Sequence, residues 1–394
     1  MLLNNVRVLD FGRYVAGPYC ATLLGYLGAD VIRIERRGGG EDRFIAPVTA
    51  NGEGAVLFQT ACNKRSLTLD LANPAAPEIL ARLVATADVV IANLPARARA
   101  KLGLDYESLR AIRSDVILVT QSAFGDSGPY CNRGGFDGVG QAMSGAMYIT
   151  GTPGAPAKAA APYVDFSTAV LAAFGTLAAL LHRQQTGEGQ EVQATLLGTA
   201  LSVFGSHLIE QGATGINRVG TGNSVQTSAP SDVFATRDGH ILTHVVGNAL
   251  FRRWARLMGE ERLWTEDPRF ASDQSRGDHN APILERMRAW CRERTSSDAV
   301  QTLQDAGIPA GPVLTPQQAL DDPQVAALQL LHSVTGYPGL SRAAPVPDLP
   351  VRLSRCGGGI RTPPPQTGEH TEDILRSLGY SDTEIAALRA SEVV

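Results

Sequence analysis

The chain has 394 residues, long enough for two or three domains with ample core. Its net charge of −4 and 6% aromatic content, without an Arg/Lys-rich run, give no electrostatic reason to expect a nucleic-acid partner.

The opening residues, MLLNNVRVLDFG, lack the basic start and long apolar run of a secretory signal. Residues 6–11 (VRVLDF) read as a buried strand. Gly17 and Pro18 open a helix through Leu27, and residues 30–35 (DVIRIE) form the next strand. This β-α-β start predicts a parallel sheet. A dinucleotide site would place G-x-G-x-x-G in the first turn. Here that turn reads GRYVAGPYC, with its glycines five apart and a Pro where a phosphate-facing N–H is needed, which disfavours NAD or FAD. Arg36, Arg37 and Arg43 gather around three glycines after the second strand, and arginine suits phosphate or an adenine face. A solvated basic loop is the plainer alternative.

Residues 66–71 and 88–94 read as strands around a helix at 74–86, and the second strand ends on Asn93. Lys101 follows in a short helix. The strand at 116–120 exits into a polar, glycine-rich loop, QSAFGDSGPY, and residues 136–148 read as a helix.

The central stretch is 159–196. A Pro-containing approach leads to Asp165, and a long apolar helix follows with Val170, Phe174, Leu177 and Leu181 at helical spacing. Gly187 and Gly189 end it. Asp165 is expected just before the first turn, where unpaired N–H groups and the helix dipole favour an ionised carboxylate. Such a carboxylate can act as a nucleophile, although an Asp there can also be a simple cap. The apolar part, 170–181, is too short to span a membrane, so no spanning segment is expected. A strand at 190–195 and a helix at 196–211 complete a doubly wound α/β domain.

Residues 212–231 read as a linker. A hairpin at 231–246 and helices near 249–258, 281–294, 297–306 and 316–331 describe a smaller α+β domain. A second flexible run covers 333–365, and two short helices lie between 371 and 389. The expected layout is a large domain over 1–222, a small one over 223–330, and a linker with C-terminal return to the large domain over 331–394. Both linkers exceed an ordinary connection, which hints at an unusual topology. The five cysteines, 20, 62, 131, 291 and 356, are scattered without a CxxC, so neither a disulfide framework nor a metal site is expected. They read as reduced thiols in a cytoplasm.

Several segments together resemble the class III CoA-transferases, which include the formyl-CoA and carnitine CoA-transferases. They are VRVLDFGRYVAGPYCATLLGYLGADVIRIERRGGG, NKRSLTLDL, GLDYESLRAIRSDVILVTQSAFGDSGPY, GFDGVGQAMSG, Asp165 with TAVLAAFGTLAALLHRQQTGEGQEV, and GEHTEDILRSLGY. The resemblance implies that Asp165 is the catalytic aspartate. It would attack an acyl-CoA thioester to give an aspartyl–acyl anhydride and CoA thiolate. An acceptor carboxylate would free the donor acid, and exchange would pass through an aspartyl-CoA thioester. Coenzyme A enters as substrate, with no permanent cofactor and no metal.

The resemblance also implies binding roles. Arg36 and Lys101 would meet the nucleotide's phosphates or adenine, Leu69 the adenine, and Asn93 with Leu94 the nucleotide. Val15, Phe124, Gly125 and Phe136 would line the acyl-CoA site, and Asp137 would lie near Asp165. Oxyanion donors are expected in the loop 125–128 and at Gly247. The family further implies an interlocked homodimer acting on small organic acids, away from membranes. Val15 replaces the glutamine of formyl-CoA transferase, which speaks against an oxalate- or formate-like substrate. The alternatives are a 2-methylacyl-CoA racemase and a non-catalytic CoA-binding protein. A racemase of this family carries a His where this chain has Phe136, which cannot accept a proton.

Overall fold

The computed structural model describes all 394 residues. In chain order it begins β1 (Arg7–Asp10), α1 (Ala16–Tyr26), β2 (Asp30–Glu35), α2 (Ala55–Ala61), β3 (Lys64–Thr68), α3 (Ala76–Ala85), β4 (Val89–Ala92), α4 (Ala96–Lys101), α5 (Tyr106–Ile112) and β5 (Ile117–Ser122). Next come α6 (Asp137–Met143), α7 (Ala146–Thr150), α8 (Tyr163–Thr186), β6 (Glu191–Thr195), α9 (Leu196–Val203) and α10 (Gly205–Thr214). The expected helix at 136–148 is two, broken where Gly145 turns to φ +91°. That at 196–211 likewise breaks after Val203.

The chain folds as two compact units. The larger comprises residues 1–146, 159–214 and 323–394. The smaller comprises 147–158 and 215–322, so its edges differ from the expected 223–330 and it takes in a short stretch that carries no sequence signal.

In the larger unit six strands pair in parallel in the order β3-β2-β1-β4-β5-β6. Both faces of the sheet are covered, and its central strands read as apolar runs rather than alternating ones; all four residues of β4 are buried. On one face Leu9, Ile32, Leu67, Val90 and Leu118 pack with residues of α3 and α5 and with the C-terminal return. On the other, Val8, Val31, Val89, Ile91 and Val119 pack with α1 and α8. The strand order reverses between β1 and β4, and the crevice at the carboxyl ends there is where open α/β sheets bind ligands.

Helix α8 has 24 residues and a stretch of mean hydropathy 1.8. Contrary to the sequence expectation, it is long and apolar enough to cross a membrane by length and composition. Its small residues Ala169, Ala172, Ala173 and Ala179 are instead buried against α1 and the sheet. Gly187 closes it in the left-handed conformation, φ +78°, donating to the Arg183 carbonyl.

The smaller unit holds β7 (Ser231–Ala235), β8 (His240–His244), α11 (Asn248–Leu257), α12 (Glu261–Thr265), α13 (Asp273–Asp278), α14 (Asn280–Arg292), α15 (Ser296–Asp305), β9 (Ala310–Pro312) and α16 (Pro316–Leu320). Its three antiparallel strands and helices close over Phe234, Ile241, Trp254 and Met287. The expected helix at 316–331 is broken between α16 and α17 (Pro323–Ala327).

The return segment adds β10 (Leu331–Val334), β11 (Ala344–Pro347), α18 (Thr371–Ser377) and α19 (Asp382–Ala390). The expected flexible run at 333–365 therefore contains an antiparallel pair, with Val334, Tyr337 and Val346 buried beside Tyr26 and Phe58. The Thr371 hydroxyl accepts from the Thr68 N–H at 3.1 Å, tying α18 to β3.

A buried ionic network ties the loop after β2 to this return. Arg43 is fully buried and gives two 2.7 Å hydrogen bonds to Glu35, one of 3.2 Å to Glu53 and one of 3.0 Å to the Pro365 carbonyl. Arg33 bonds Asp42 at 2.8 and 2.9 Å. Burial would raise the Glu35 carboxyl, but Arg43 and Arg33 hold it down to about 2. Arg43 is thus a structural strut and not the phosphate ligand its place in the basic loop suggested. Arg43→Ala leaves Glu35 and Glu53 buried without this partner, and we expect a loss of about 3–5 kcal/mol, read by thermal or urea unfolding.

Candidate active site

The N-terminus of α8 has no side-chain cap of its own, because the capping position is Pro162. Asp137, the first residue of α6, supplies the acceptor. Its Oδ1 takes the Val164 N–H at 2.7 Å and the Asp165 N–H at 3.2 Å. The Tyr163 and Phe166 N–H groups donate to the carbonyls of Ala161 and Pro162, so the donors of the first turn are accounted for. Asp137 Oδ2 accepts from Gln141 Nε2 at 2.5 Å, and Gln141 Oε1 takes the Ala159 N–H at 2.9 Å, which fixes the approach to the helix.

Asp165 therefore lies inside the first turn and is not its cap. Its carboxylate accepts no hydrogen bond, and burial followed by the charge of Asp137 pushes it up to about 6. This corrects the expectation that the helix end favours the ionised form. The backbone donors that would have done so are spent on Asp137.

Asp165 lines a cavity of about 460 Å³ at the carboxyl ends of β1, β4 and β5. Arg13, Tyr14 and Val15 come from the loop after β1, Asn93 and Leu94 follow β4, Gln121 and Ser122 end β5, and Ala123 follows it. The Asn93 amide holds the Arg13 backbone from both sides, accepting its N–H at 2.8 Å and donating to its carbonyl at 2.7 Å. Tyr14 stands next to it at φ +62°, a conformation that needs such support. Gly17 is required here by close approach: a Cβ would lie 3.1 Å from Asn93 Cγ and 2.9 Å from Gly12 Cα.

A second cavity, of about 360 Å³, shares Arg13 and Leu94 with the first. Arg36, Leu69, Ala98 and Leu102 are among its walls.

The sequence model of CoA-transferase family III matches residues 3–371 of this chain. The chain belongs to that family. It is 35% identical to the succinyl-CoA–D-citramalate CoA-transferase of Chloroflexus aurantiacus, over 100% of this chain and 98% of that protein. It is 32% identical to the succinate–glutarate CoA-transferase of Agrobacterium fabrum, over 95% of each. The crystal structure of a CAIB/BAIF family protein from Brucella suis superposes with a TM-score of 0.83 at 30% identity, covering 95% of this chain and 98% of that one.

Of the residues to which the family resemblance gives roles, Asp165, Val15, Asn93, Leu94 and Phe136 line the first cavity. Phe136 is 61% exposed and packs edge-on against Tyr14 at 5.1 Å. No histidine lines that cavity. Arg36 and Leu69 line the second, with Arg36 Nε held by the Gly39 carbonyl at 2.7 Å. Asp137 is buried behind Asp165 as the helix clamp.

The others are not brought in. Lys101 is exposed at the end of α4 and lines neither cavity, whereas its neighbour Leu102 lines the second. Phe124 lines a smaller adjoining cavity. The Gly125 N–H is spent on Ser122 Oγ at 2.9 Å. The Gly247 N–H, in the smaller unit, is spent on both Asp273 carboxylate oxygens at 2.9 Å. Neither can serve as the oxyanion donor expected of it while those bonds stand. The sequence reading passed over Arg13, which lines both cavities.

The raised pKa of Asp165 has a stability consequence. The unfolded chain ionises near the ordinary value, so ionised Asp165 costs stability that grows from about pH 4 and is complete above about pH 6. Asp165→Asn should be more stable than the parent above pH 6, by at most about 3 kcal/mol, and equal to it below about pH 4. Urea unfolding across pH 4–8 checks this.

Proposed function

We propose that this protein moves CoA from an acyl-CoA donor to a carboxylic acid acceptor, with Asp165 as the nucleophile. The observation that carries this reading is the Asp165 carboxylate, free of hydrogen bonds and facing a cavity continuous in its lining with a second one. A carboxylate spared from hydrogen bonds and partly desolvated keeps its lone pairs for attack. Leu69, Leu94 and Leu102 offer an apolar wall for adenine, Arg36 offers charge for the phosphates, and the pantetheine arm passes to Asp165.

Asp165 attacks the thioester carbonyl and expels CoA thiolate, giving a mixed anhydride. The thiolate attacks the aspartyl carbonyl, releases the donor acid and leaves an aspartyl-CoA thioester. The acceptor carboxylate attacks the aspartyl carbonyl of that thioester and expels CoA thiolate, giving a second anhydride, and the thiolate then attacks the acceptor's acyl carbon, forming the new acyl-CoA and releasing the Asp165 carboxylate. Activation is conserved throughout, so no metal or resident cofactor is part of the reading. The relatives named for citramalate, glutarate and succinate, all dicarboxylic acids, support an acceptor of that class. Arg13, the one cationic side chain lining the Asp165 cavity, supports it as well.

Incubation with succinyl-CoA and a panel of dicarboxylic acids, followed by mass spectrometry, should yield new acyl-CoA species. They should be lost in Asp165→Ala, and their rate should fall as pH drops through about 6, where Asp165 takes a proton. Exchange that survives in Asp165→Ala would sink the assignment of the nucleophile.

The working form in this reading is an interlocked homodimer in a cytoplasm. Unpaired cysteines support the compartment. Val170, Phe174 and Leu181 on α8 are 50%, 70% and 56% exposed, an apolar face that a second copy would cover. Sedimentation should give twice the 41.7 kDa chain mass, with no dissociation on dilution short of unfolding. A monomer at micromolar concentration would refute the dimer.

A further inference from the structure

Tyr14 stands at φ +62°, in the left-handed region that bulky residues rarely enter. Such a conformation persists only where the surroundings over-determine it, and it gathers at functional sites. Here the loop is pinned on both sides of Tyr14. The buried Asp10 carboxylate accepts the Gly12 N–H at 2.8 Å and the Lys64 ammonium at 2.7 Å. Lys64 also donates to the Pro18 carbonyl at 2.7 Å, in the first turn of α1. Asn93 holds the Arg13 backbone between these points. The bracing fixes the place of one side chain. The Tyr14 ring meets the Phe136 ring edge-on, with centroids 5.1 Å apart and planes at 86°. Both residues line the Asp165 cavity. Tyr14 is half-buried and Phe136 is 61% exposed, so the pair extends from the cavity to solvent. Phe136 immediately precedes Asp137, whose carboxylate holds the turn bearing Asp165. The rings therefore join the loop after β1 to the turn that positions Asp165.

We propose that the Tyr14–Phe136 ring pair shields the acyl–aspartyl anhydride from water and so sets the partition between transfer and hydrolysis. This rests on Asp165 acting as the nucleophile. An anhydride is hydrolysed wherever water reaches it, and excluding water from the site is what prevents such side reactions. In the reaction the rings prevent, a water oxygen bonds to the acyl carbon of the anhydride. The bond from that carbon to the Asp165 oxygen breaks, and its electrons return to the Asp165 carboxylate. One water proton goes to the CoA thiolate, and the donor leaves as its free acid. The activation held in the thioester is then lost. Two rings meeting edge-on present a large, rigid apolar surface, which suits them to this task.

The test follows succinyl-CoA with and without the acceptor found above, reading free CoA for hydrolysis and new acyl-CoA for transfer. The ratio of the two rates does not depend on how much of a variant is folded, so a merely structural role would not move it. Tyr14→Gly removes the ring and suits the left-handed backbone, and Phe136→Ala removes its partner. We expect the hydrolysis-to-transfer ratio to rise about tenfold in each, the worth of one aromatic pair expressed as a rate. Tyr14→Phe keeps the ring and should keep the wild-type ratio. The excess hydrolysis should vanish when Tyr14→Gly is combined with Asp165→Ala, because water attacks the intermediate and not the thioester. A ratio within about twofold of wild type in either ring-removing variant overturns the proposal and leaves Asp165 catalysis standing. The same rise in Tyr14→Phe also overturns it, since the hydroxyl and not the ring then controls water, and so does excess hydrolysis that persists without Asp165. Tyr14→Asn, which also tolerates the left-handed region, is read by the same criteria if the glycine variant does not fold, and failure of both to fold counts against the proposal. Absence of exchange in the wild type removes the proposal together with the reading it rests on.

Discussion

The carboxylate of Asp137 on the first turn of α8 is the interaction on which the site depends. Helix starts need acceptors for their free N–H groups, and here Pro162 cannot provide one from its side chain. Asp137 does so from another helix, at 2.7 and 3.2 Å, and thereby sets where α8 begins and where Asp165 sits. The same charge, added to burial, raises the Asp165 carboxyl. One group thus positions Asp165 and denies it the hydrogen bonds that would stabilise its ionised form. The result is a carboxylate that costs the fold some stability and is available for reaction, a common arrangement at functional sites.

The sheet places the remaining parts. Strand order reverses between β1 and β4, so the loops leaving β1, β4 and β5 converge on one crevice. Asn93 holds the first of these loops by its backbone, and Gly17 lets α1 approach Asn93 closely enough for this to happen. On the far side, the buried Arg43 and Arg33 network anchors the loop that carries Arg36 and reaches the C-terminal return through Pro365. Charges buried in pairs are poor sources of net stability but costly to break singly, so this network acts mainly to specify a single loop geometry.

Much of the larger unit was legible from patterning. All six parallel strands were located within a few residues, the central ones by apolar runs bounded by turn residues, because strands covered on both faces are largely apolar. The ordered motifs indicated family membership and drew attention to Asp165. Breaks at Gly145 and after Val203 were not visible, nor was the β10–β11 pair in a Pro-rich run, since local spacing does not report where a chain must bend to pack. The end of α8 before Gly187 was legible, but its start was set too late: the helix begins at Tyr163 and Asp165 lies inside its first turn.

The sequence by itself determined the α/β class, the parallel sheet, the helix behind Asp165 and the chemistry-bearing residue types. Each of these follows from local periodicity and composition, which act over a few residues. Only the tertiary structure decided which charges are struts and which face a cavity. Arg43 and Arg36 are seven positions apart in one basic loop, yet one is fully buried between carboxylates and the other borders a pocket. It also decided that the N–H groups of Gly125 and Gly247 are spent on Ser122 and Asp273. Burial and hydrogen-bond partnership depend on groups distant in the chain, and local pattern carries no record of them.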